Sequence, residues 1–147
     1  MQMFCCFILS LVAFVTAQDK EEAARKELLK LQGEWKLKAG EASGQAMPPN
    51  VVNGFSMMIK ANEYEFRNSL ETEKGRIILN PTARPCQIDI VIVDGSFKGE
   101  KQLGIYEIGE KSVKFCINQP GDSKRPDKFS TTAENQFLLF EFEQVKK

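Results

Sequence analysis

The chain has 147 residues, of which 42% are hydrophobic and 27% are charged, as expected for one soluble domain with a packed core. Its 20 basic and 20 acidic residues cancel, so the net charge gives no argument for binding nucleic acid or an anionic membrane. The sequence contains no histidine. This excludes His-ligated metal sites and the Ser–His–Asp and Cys–His nucleophile pairs.

The N-terminus has the pattern of a secretory signal peptide. An apolar run from Phe4 to Val15 is followed by small residues up to Ala17, and the run is too short to span a membrane comfortably. We therefore expect residues 1–17 to be removed and the protein to be secreted or periplasmic. Two alternatives remain open: a lipid anchor on Cys5 or Cys6, and a buried N-terminal helix.

A helix is predicted over about residues 19–32. Asp19 and Glu22 have the spacing of a capping box, and Ala24, Leu28 and Leu31 form one apolar stripe. Gly33 follows at the position where a left-handed helix terminator is expected.

From Trp35 onward the apolar period changes from that of a helix to that of a strand. Trp35, Leu37 and Ala39 alternate with lysines and are expected to share one face. Further strand-like runs lie at 55–61, 64–67, 77–79, 88–93, 103–108, 113–117 and 137–145, with a short candidate near Phe129. The prediction is a mainly β fold: one antiparallel β-barrel of about eight strands at about 34–146, in a single domain at 18–147.

The Gly33-x-Trp35 pair is similar to the motif that begins the first strand of lipocalins. Four segments occur in order: "LQGEWKL", "IDIVIVDG", "KGEKQLGIYEI" and "VKFCINQPGDSKRPDKF". Together they resemble a family of small secreted lipocalin-like domains abundant in planctomycete bacteria. The resemblance implies a secreted barrel whose closed end is plugged by Trp35, and it implies no function. Lys146 and Lys147 stand where that family often has an arginine, so we expect a weaker stack on the Trp.

A barrel of eight strands is either filled by its own side chains or holds one small ligand, and the sequence leaves both open. The residues that we expect to line a pocket are Trp35, Phe55, Met57, Ile59, Phe66, Asp89 and Tyr106. Asp89 either orients a ligand or faces outward to a lysine on the next strand, and we favour the outward position. For Tyr106 we favour packing with its hydroxyl at the rim.

The loop after residue 117 contains Pro120, Gly121, Arg125 and Pro126. Arg125 can bind an anionic partner, but we favour a structural role for this motif in setting the turn. Cys86 and Cys116 either form a disulfide in an oxidising compartment or stay as two buried thiols. The family resemblance matches Cys116 alone and does not require a bridge.

No paired catalytic carboxylates, phosphate-binding glycine loop or metal-spaced cysteine cluster is visible in the sequence. We therefore expect an exported, non-enzymatic barrel without cofactor or metal that binds a small apolar ligand. The alternative is a filled barrel that acts through its loops as a protein-interaction or envelope module. Neither alternative involves nucleic acid or a stable membrane span after signal removal.

Overall fold

The computed structural model describes residues 16–146 of the chain. The apolar run of the predicted signal peptide lies outside these residues, as do Cys5 and Cys6. Within the described residues, no helix is both long enough and apolar enough to cross a membrane.

Helix α1 (Ala17–Lys30) lies two residues closer to the N-terminus than predicted. Thr16 is its cap, because the Thr16 hydroxyl accepts from the Asp19 amide at 3.3 Å and the Asp19 carboxylate accepts from the Thr16 amide at 3.2 Å. The capping box expected for Asp19 and Glu22 is therefore wrong. Glu22 instead pairs with Lys26 at 3.7 Å, one turn along the helix.

The described chain forms one antiparallel sheet and a second short helix. The elements after α1 are β1 (Gly33–Ala42), β2 (Gln45–Ala46), α2 (Pro49–Val52), β3 (Ser56–Lys60), β4 (Glu63–Arg67), β5 (Thr72–Asn80), β6 (Gln87–Asp94), β7 (Lys101–Ile108), β8 (Ser112–Ile117) and β9 (Leu138–Gln144). Strand β1 pairs with both β3 and β9, which closes eight strands into a barrel, and β2 is an extra strand on the end of β1. The predicted fold class is confirmed. The candidate strand near Phe129 is wrong, because that segment is an irregular loop on the outside of the barrel.

A β-bulge in β1 changes which residues face the interior. Leu37 pairs with Phe142 but Ala39 pairs with Glu141, so Lys38 is the extra residue. Ala39 is consequently exposed, contrary to the predicted alternation, and Gly40 faces inward. A Cβ on Gly40 would lie 2.6 Å from the Met47 sulfur. The glycine therefore makes room for Met47 inside the barrel.

Trp35 and α1 close one end of the barrel. Trp35 is 1% exposed, and its indole Nε1 donates to the Leu31 carbonyl at 2.8 Å. The Gln32 side chain joins this end to the β3–β4 turn, because its amide donates to and accepts from the Ala61 backbone. Lys146 is exposed. In residues 16–146 a cation lies over an aromatic ring at Phe129, where it is Lys114, and no lysine lies over Trp35. Lys146 therefore does not form the expected stack on Trp35, and Lys147 lies outside the described residues.

Candidate functional site

The interior of the barrel contains a cavity of about 290 Å³. Most of its wall consists of inward-facing apolar side chains from the strands. Tyr64 and Phe97 also line the cavity, but most of its aromatic wall comes from five phenylalanines: Phe55, Phe66, Phe115, Phe140 and Phe142. The barrel is therefore hollow, and the filled interior that the phenylalanine content allowed is not what forms.

The phenylalanine rings contact one another in a chain along the wall. The ring centroids of Phe55 and Phe66 are 5.2 Å apart, and those of Phe66 and Phe140 are 6.3 Å apart. Phe142 continues the chain at 6.1 Å from Phe140. These tilted contacts stabilise aromatic pairs beyond the area that they bury.

The cavity opens at the end opposite α1. Its rim comes from the loops at that end: Met47 after β2, Asn68 and Glu71 between β4 and β5, Phe97 between β6 and β7, and Pro120 after β8. Phe97 lines the cavity and is 48% exposed, so the cavity reaches solvent beside this ring.

A hydrogen-bonded pair, Tyr64 and Glu73, brings polar chemistry to the wall. The Tyr64 hydroxyl donates to a Glu73 carboxylate oxygen at 2.8 Å. The ring of Tyr64 lies over Gly75, where a Cβ would come within 2.7 Å of the ring. Burial, and secondarily Glu73, raises the pKa of Tyr64 well above its usual range. Tyr64 is therefore a neutral donor whose only hydrogen is already used.

Glu73 and Glu71 place two carboxylates near the mouth. Burial raises the pKa of Glu73, the hydrogen bond from Tyr64 opposes this rise, and the negative charge of Glu71 adds to it. Glu71 accepts from the Ser96 hydroxyl at 2.5 Å and from the Ser96 amide at 3.2 Å. Among the residues that the structure describes, the cavity wall contains no Lys or Arg, and neither carboxylate is in an ion pair.

The polar wall residue Gln102 connects the cavity to the loop after β8. Gln102 is 6% exposed, and its amide nitrogen donates to the Asn118 carbonyl at 2.9 Å. The fully buried Asn118 side chain accepts from the Leu103 amide at 2.8 Å and donates to the carbonyls of Asp122 and Lys124. These bonds hold the loop in one position at the mouth.

The structure brings four of the seven predicted pocket residues together on the cavity wall: Phe55, Met57, Ile59 and Phe66. The other three, Trp35, Asp89 and Tyr106, do not line this cavity. Trp35 lies at the closed end.

Asp89 faces away from the cavity and binds Arg125. The Arg125 guanidinium donates to the Asp89 carboxylate at 2.6 Å and to the carbonyls of Ile88 and Gly104 at 3.0 and 2.8 Å. The outward position was expected, but the partner is a loop arginine and not a lysine on the next strand. Pro126, beside Arg125, is buried. Because its guanidinium is engaged by the sheet, Arg125 fastens the loop to the barrel.

The other two loop residues of this motif have different positions. Pro120 lines the mouth of the cavity. Gly121 has a φ of +83°, a left-handed conformation that favours glycine and fits the turn chemistry expected there.

Tyr106 attaches α1 to the barrel. It is 2% exposed, and its hydroxyl donates to the Glu27 carboxylate at 3.2 Å. Burial, and secondarily the charge of Glu27, raises the pKa of Tyr106 well above its usual range. Tyr106 and Cys86 both line a shallow outer depression beside α1. Tyr106 packs in the core as expected, but its hydroxyl binds α1 and does not lie at the rim.

Both described cysteines are free thiols. The Tyr106 amide donates to the Cys86 carbonyl, whereas Cys116 pairs with the neighbouring residue Ile105. Adjacent strand residues face opposite sides of a sheet, so the two thiols lie on opposite faces with β7 between them. Cys116 packs with Ile105 outside the barrel, where burial raises the pKa of its thiol. Of the two alternatives left open by the sequence, the structure has the two unpaired thiols, because the barrel wall separates the sulfurs.

Sequence reasoning missed the polar group on the wall. In β5, Glu73, Gly75, Ile77 and Leu79 all face inward, but the predicted run began only at Ile77. Extending the alternation two steps toward the N-terminus would have placed a carboxylate inside the barrel. Tyr64 was assigned to a strand face but not to the pocket.

No protein-family model, no curated protein and no solved structure matches this chain. In residues 16–146, no group of cysteines and carboxylates is arranged to hold a metal ion. The geometry alone defines the site: a closed eight-stranded barrel of lipocalin-like shape, with a helix at one end and an apolar cavity open at the other.

Proposed function

We propose that this chain is an exported, non-enzymatic carrier that binds one small apolar molecule inside its barrel. The observation that supports this proposal most strongly is the cavity of about 290 Å³ with a largely apolar wall. Ligand pockets in proteins are commonly about 300–1,000 Å³, so this cavity lies just below the usual range. It fits a compact ligand better than a long-chain lipid.

A role in binding and not in catalysis is supported by the chemistry of the wall. The polar side chains Tyr64 and Glu73 are hydrogen-bonded to each other. Neither is paired with a serine or cysteine nucleophile, and the sequence has no histidine to act as a base near neutral pH.

Export is supported by the sequence of residues 1–17, which has the pattern of a signal peptide. Membership of the lipocalin-like family abundant in planctomycetes is likewise a proposal that rests on the quoted motifs. The closed barrel, the N-terminal helix and the buried Trp35 agree with the shape that this resemblance implies.

A second candidate function is a protein-interaction or envelope module that acts through its loops. The observation that favours it is the exposure of two apolar side chains at the open end: Leu70 is 92% exposed and Phe97 is 48% exposed. Because Phe97 also lines the cavity, the same surface equally suits ligand entry. A variant that fills the cavity but leaves the loops unchanged separates the two functions.

The test is a titration of the protein with a hydrophobic fluorescent dye. Ile90 lines the cavity, so Ile90→Trp should fill it, whereas Ile78→Trp adds the same group at an outward position that is 54% exposed. Saturable binding of one dye per protein in the wild type and Ile78→Trp, lost in Ile90→Trp, is the expected result. Equal binding in both folded variants would place the dye on the surface and favour the second function.

A further inference from the structure

The cavity wall carries a charge pattern that selects among small apolar ligands. Its polar side chains at the mouth include the carboxylates of Glu71 and Glu73, and within the described chain its lining contains no Lys or Arg. A ligand with a carboxylate head would bring a third negative charge into this mouth without a cationic partner. Such a charge is strongly disfavoured in a partly desolvated site.

The hydrogen bond between Tyr64 and Glu73 also disfavours an anionic ligand. The Tyr64 hydroxyl donates its single hydrogen to Glu73, so it has no hydrogen left for an anionic ligand. An ionised carboxylate such as that of Glu73 has no hydrogen to donate. Its several lone pairs can accept from Tyr64 and from a ligand at the same time. At Glu73 the matching ligand group is therefore a donor.

An aromatic ring lies beside this acceptor. Phe66 is the direct cross-strand partner of Glu73, and both side chains line the cavity. Directly opposed strand residues have Cβ atoms about 4.5–5.5 Å apart. The face of an aromatic ring attracts a cation, most strongly where water is excluded. A carboxylate and a ring side by side form the two halves of a site for an ammonium group.

We propose that the barrel binds a small apolar amine, with its ammonium group at Glu73 and Phe66 and its apolar part among the phenylalanines deeper in the cavity. This inference rests on the proposed carrier function and adds the class of ligand. The ammonium donates to the Glu73 carboxylate and offsets the repulsion between Glu73 and Glu71. No covalent step is involved.

The test compares three probes of equal chain length by calorimetry: octylamine, octanol and octanoate. We expect octylamine to bind the wild-type protein at least about tenfold more tightly than octanoate, with octanol between them. In Glu73→Gln the affinity for octylamine should fall about tenfold while that for octanol is unchanged. Glu110→Gln makes the same change in charge in the exposed turn at the closed end and should have no effect.

The outcomes distinguish a failure of the amine preference from a failure of the proposed carrier function. Binding of octanoate as tight as that of octylamine, or an unchanged octylamine affinity in Glu73→Gln, would overturn the amine preference and leave the carrier intact. No saturable binding of any probe to the wild type would overturn both. Should Glu73→Gln fail to fold, Phe66→Leu replaces it, because this change keeps an apolar wall but removes the ring beside Glu73. An octylamine-to-octanol affinity ratio unchanged from the wild type would again overturn the inference.

Discussion

The indole nitrogen of Trp35 donates to the carbonyl of Leu31 at 2.8 Å, across the junction between α1 and β1. This bond satisfies a carbonyl at the end of the helix that has no partner within the helix. The Trp ring is at the same time buried in the closed end of the barrel. One side chain therefore both fixes the direction of the helix and fills the base of the core.

Trp35→Ala should lower the free energy of unfolding by about 3–5 kcal/mol, because it leaves a large void at the closed end. Trp35→Phe keeps most of the packing and loses the hydrogen bond, so it should cost about 1–2 kcal/mol. Urea denaturation of the three proteins measures both values. A change below 1 kcal/mol in the alanine variant would show that the ring does not support the barrel.

Glu73→Gln should change how stability depends on pH. The folded-state pKa of Glu73 is raised above its value of about 4.3 in the unfolded chain, so folding favours the protonated form. Its contribution to stability is present below about pH 4 and is lost as the pH rises through the folded pKa. The glutamine in the variant does not titrate, so the stability of the variant relative to the wild type should increase between about pH 4 and 7.

This gain should be no more than about 1 kcal/mol, since Glu73 is half-buried and solvent still screens its charge. The nearest titratable groups are Tyr64 and Glu71, which stay unchanged in the variant. Thermal unfolding of the wild type, Glu73→Gln and the control Glu110→Gln across this pH range measures the difference. A gain that shrinks as the pH rises would contradict the raised pKa.

Arg125→Ala should destabilise the protein by about 1.5–3 kcal/mol, because its guanidinium bonds with Asp89 and two strand carbonyls would be lost. Lys124 next to it is exposed, and Lys124→Ala keeps the backbone carbonyl that accepts from Asn118. That control should stay within about 0.5 kcal/mol of the wild type. Equal stability of the two variants in chemical denaturation would mean that Arg125 does not hold the loop.

The two thiols should react at different rates with an alkylating reagent. Cys116 is fully buried and the pKa of its thiol is raised, whereas Cys86 is only partly buried. In the folded protein without residues 1–17, Cys86 should be modified first, and unfolding without reductant should expose both. An intact mass showing that neither thiol reacts after unfolding until a reductant is added would indicate a disulfide instead.

Much of the fold follows from local patterns in the sequence. Alternation of apolar residues predicts seven strand segments of the barrel after β1, and the change of period at Trp35 marks where the helix ends. The bulge at Lys38 could not be predicted, because it depends on how β1 pairs with β9, a strand about a hundred residues later. This one irregularity decides that Gly40, and not Ala39, faces the interior.

The candidate site was only partly predictable for the same reason. Inward-facing apolar residues such as Met57 and Phe66 follow from alternation within one strand. Whether they enclose a space depends on side chains brought together from all around the barrel. The bond between Asp89 and Arg125 joins residues 36 positions apart, and a lysine on the next strand was the nearer choice. Long-range packing therefore limited the prediction.

A barrel that carries one small molecule should keep it bound through a gentle purification. Native mass spectrometry of the protein purified from its own host without detergent measures whether it does. We expect a single adduct of small-molecule mass that is lost on denaturation and is absent from Ile90→Trp prepared in the same way. A bare protein mass for the wild type in repeated preparations, or the same adduct on Ile90→Trp, would contradict it.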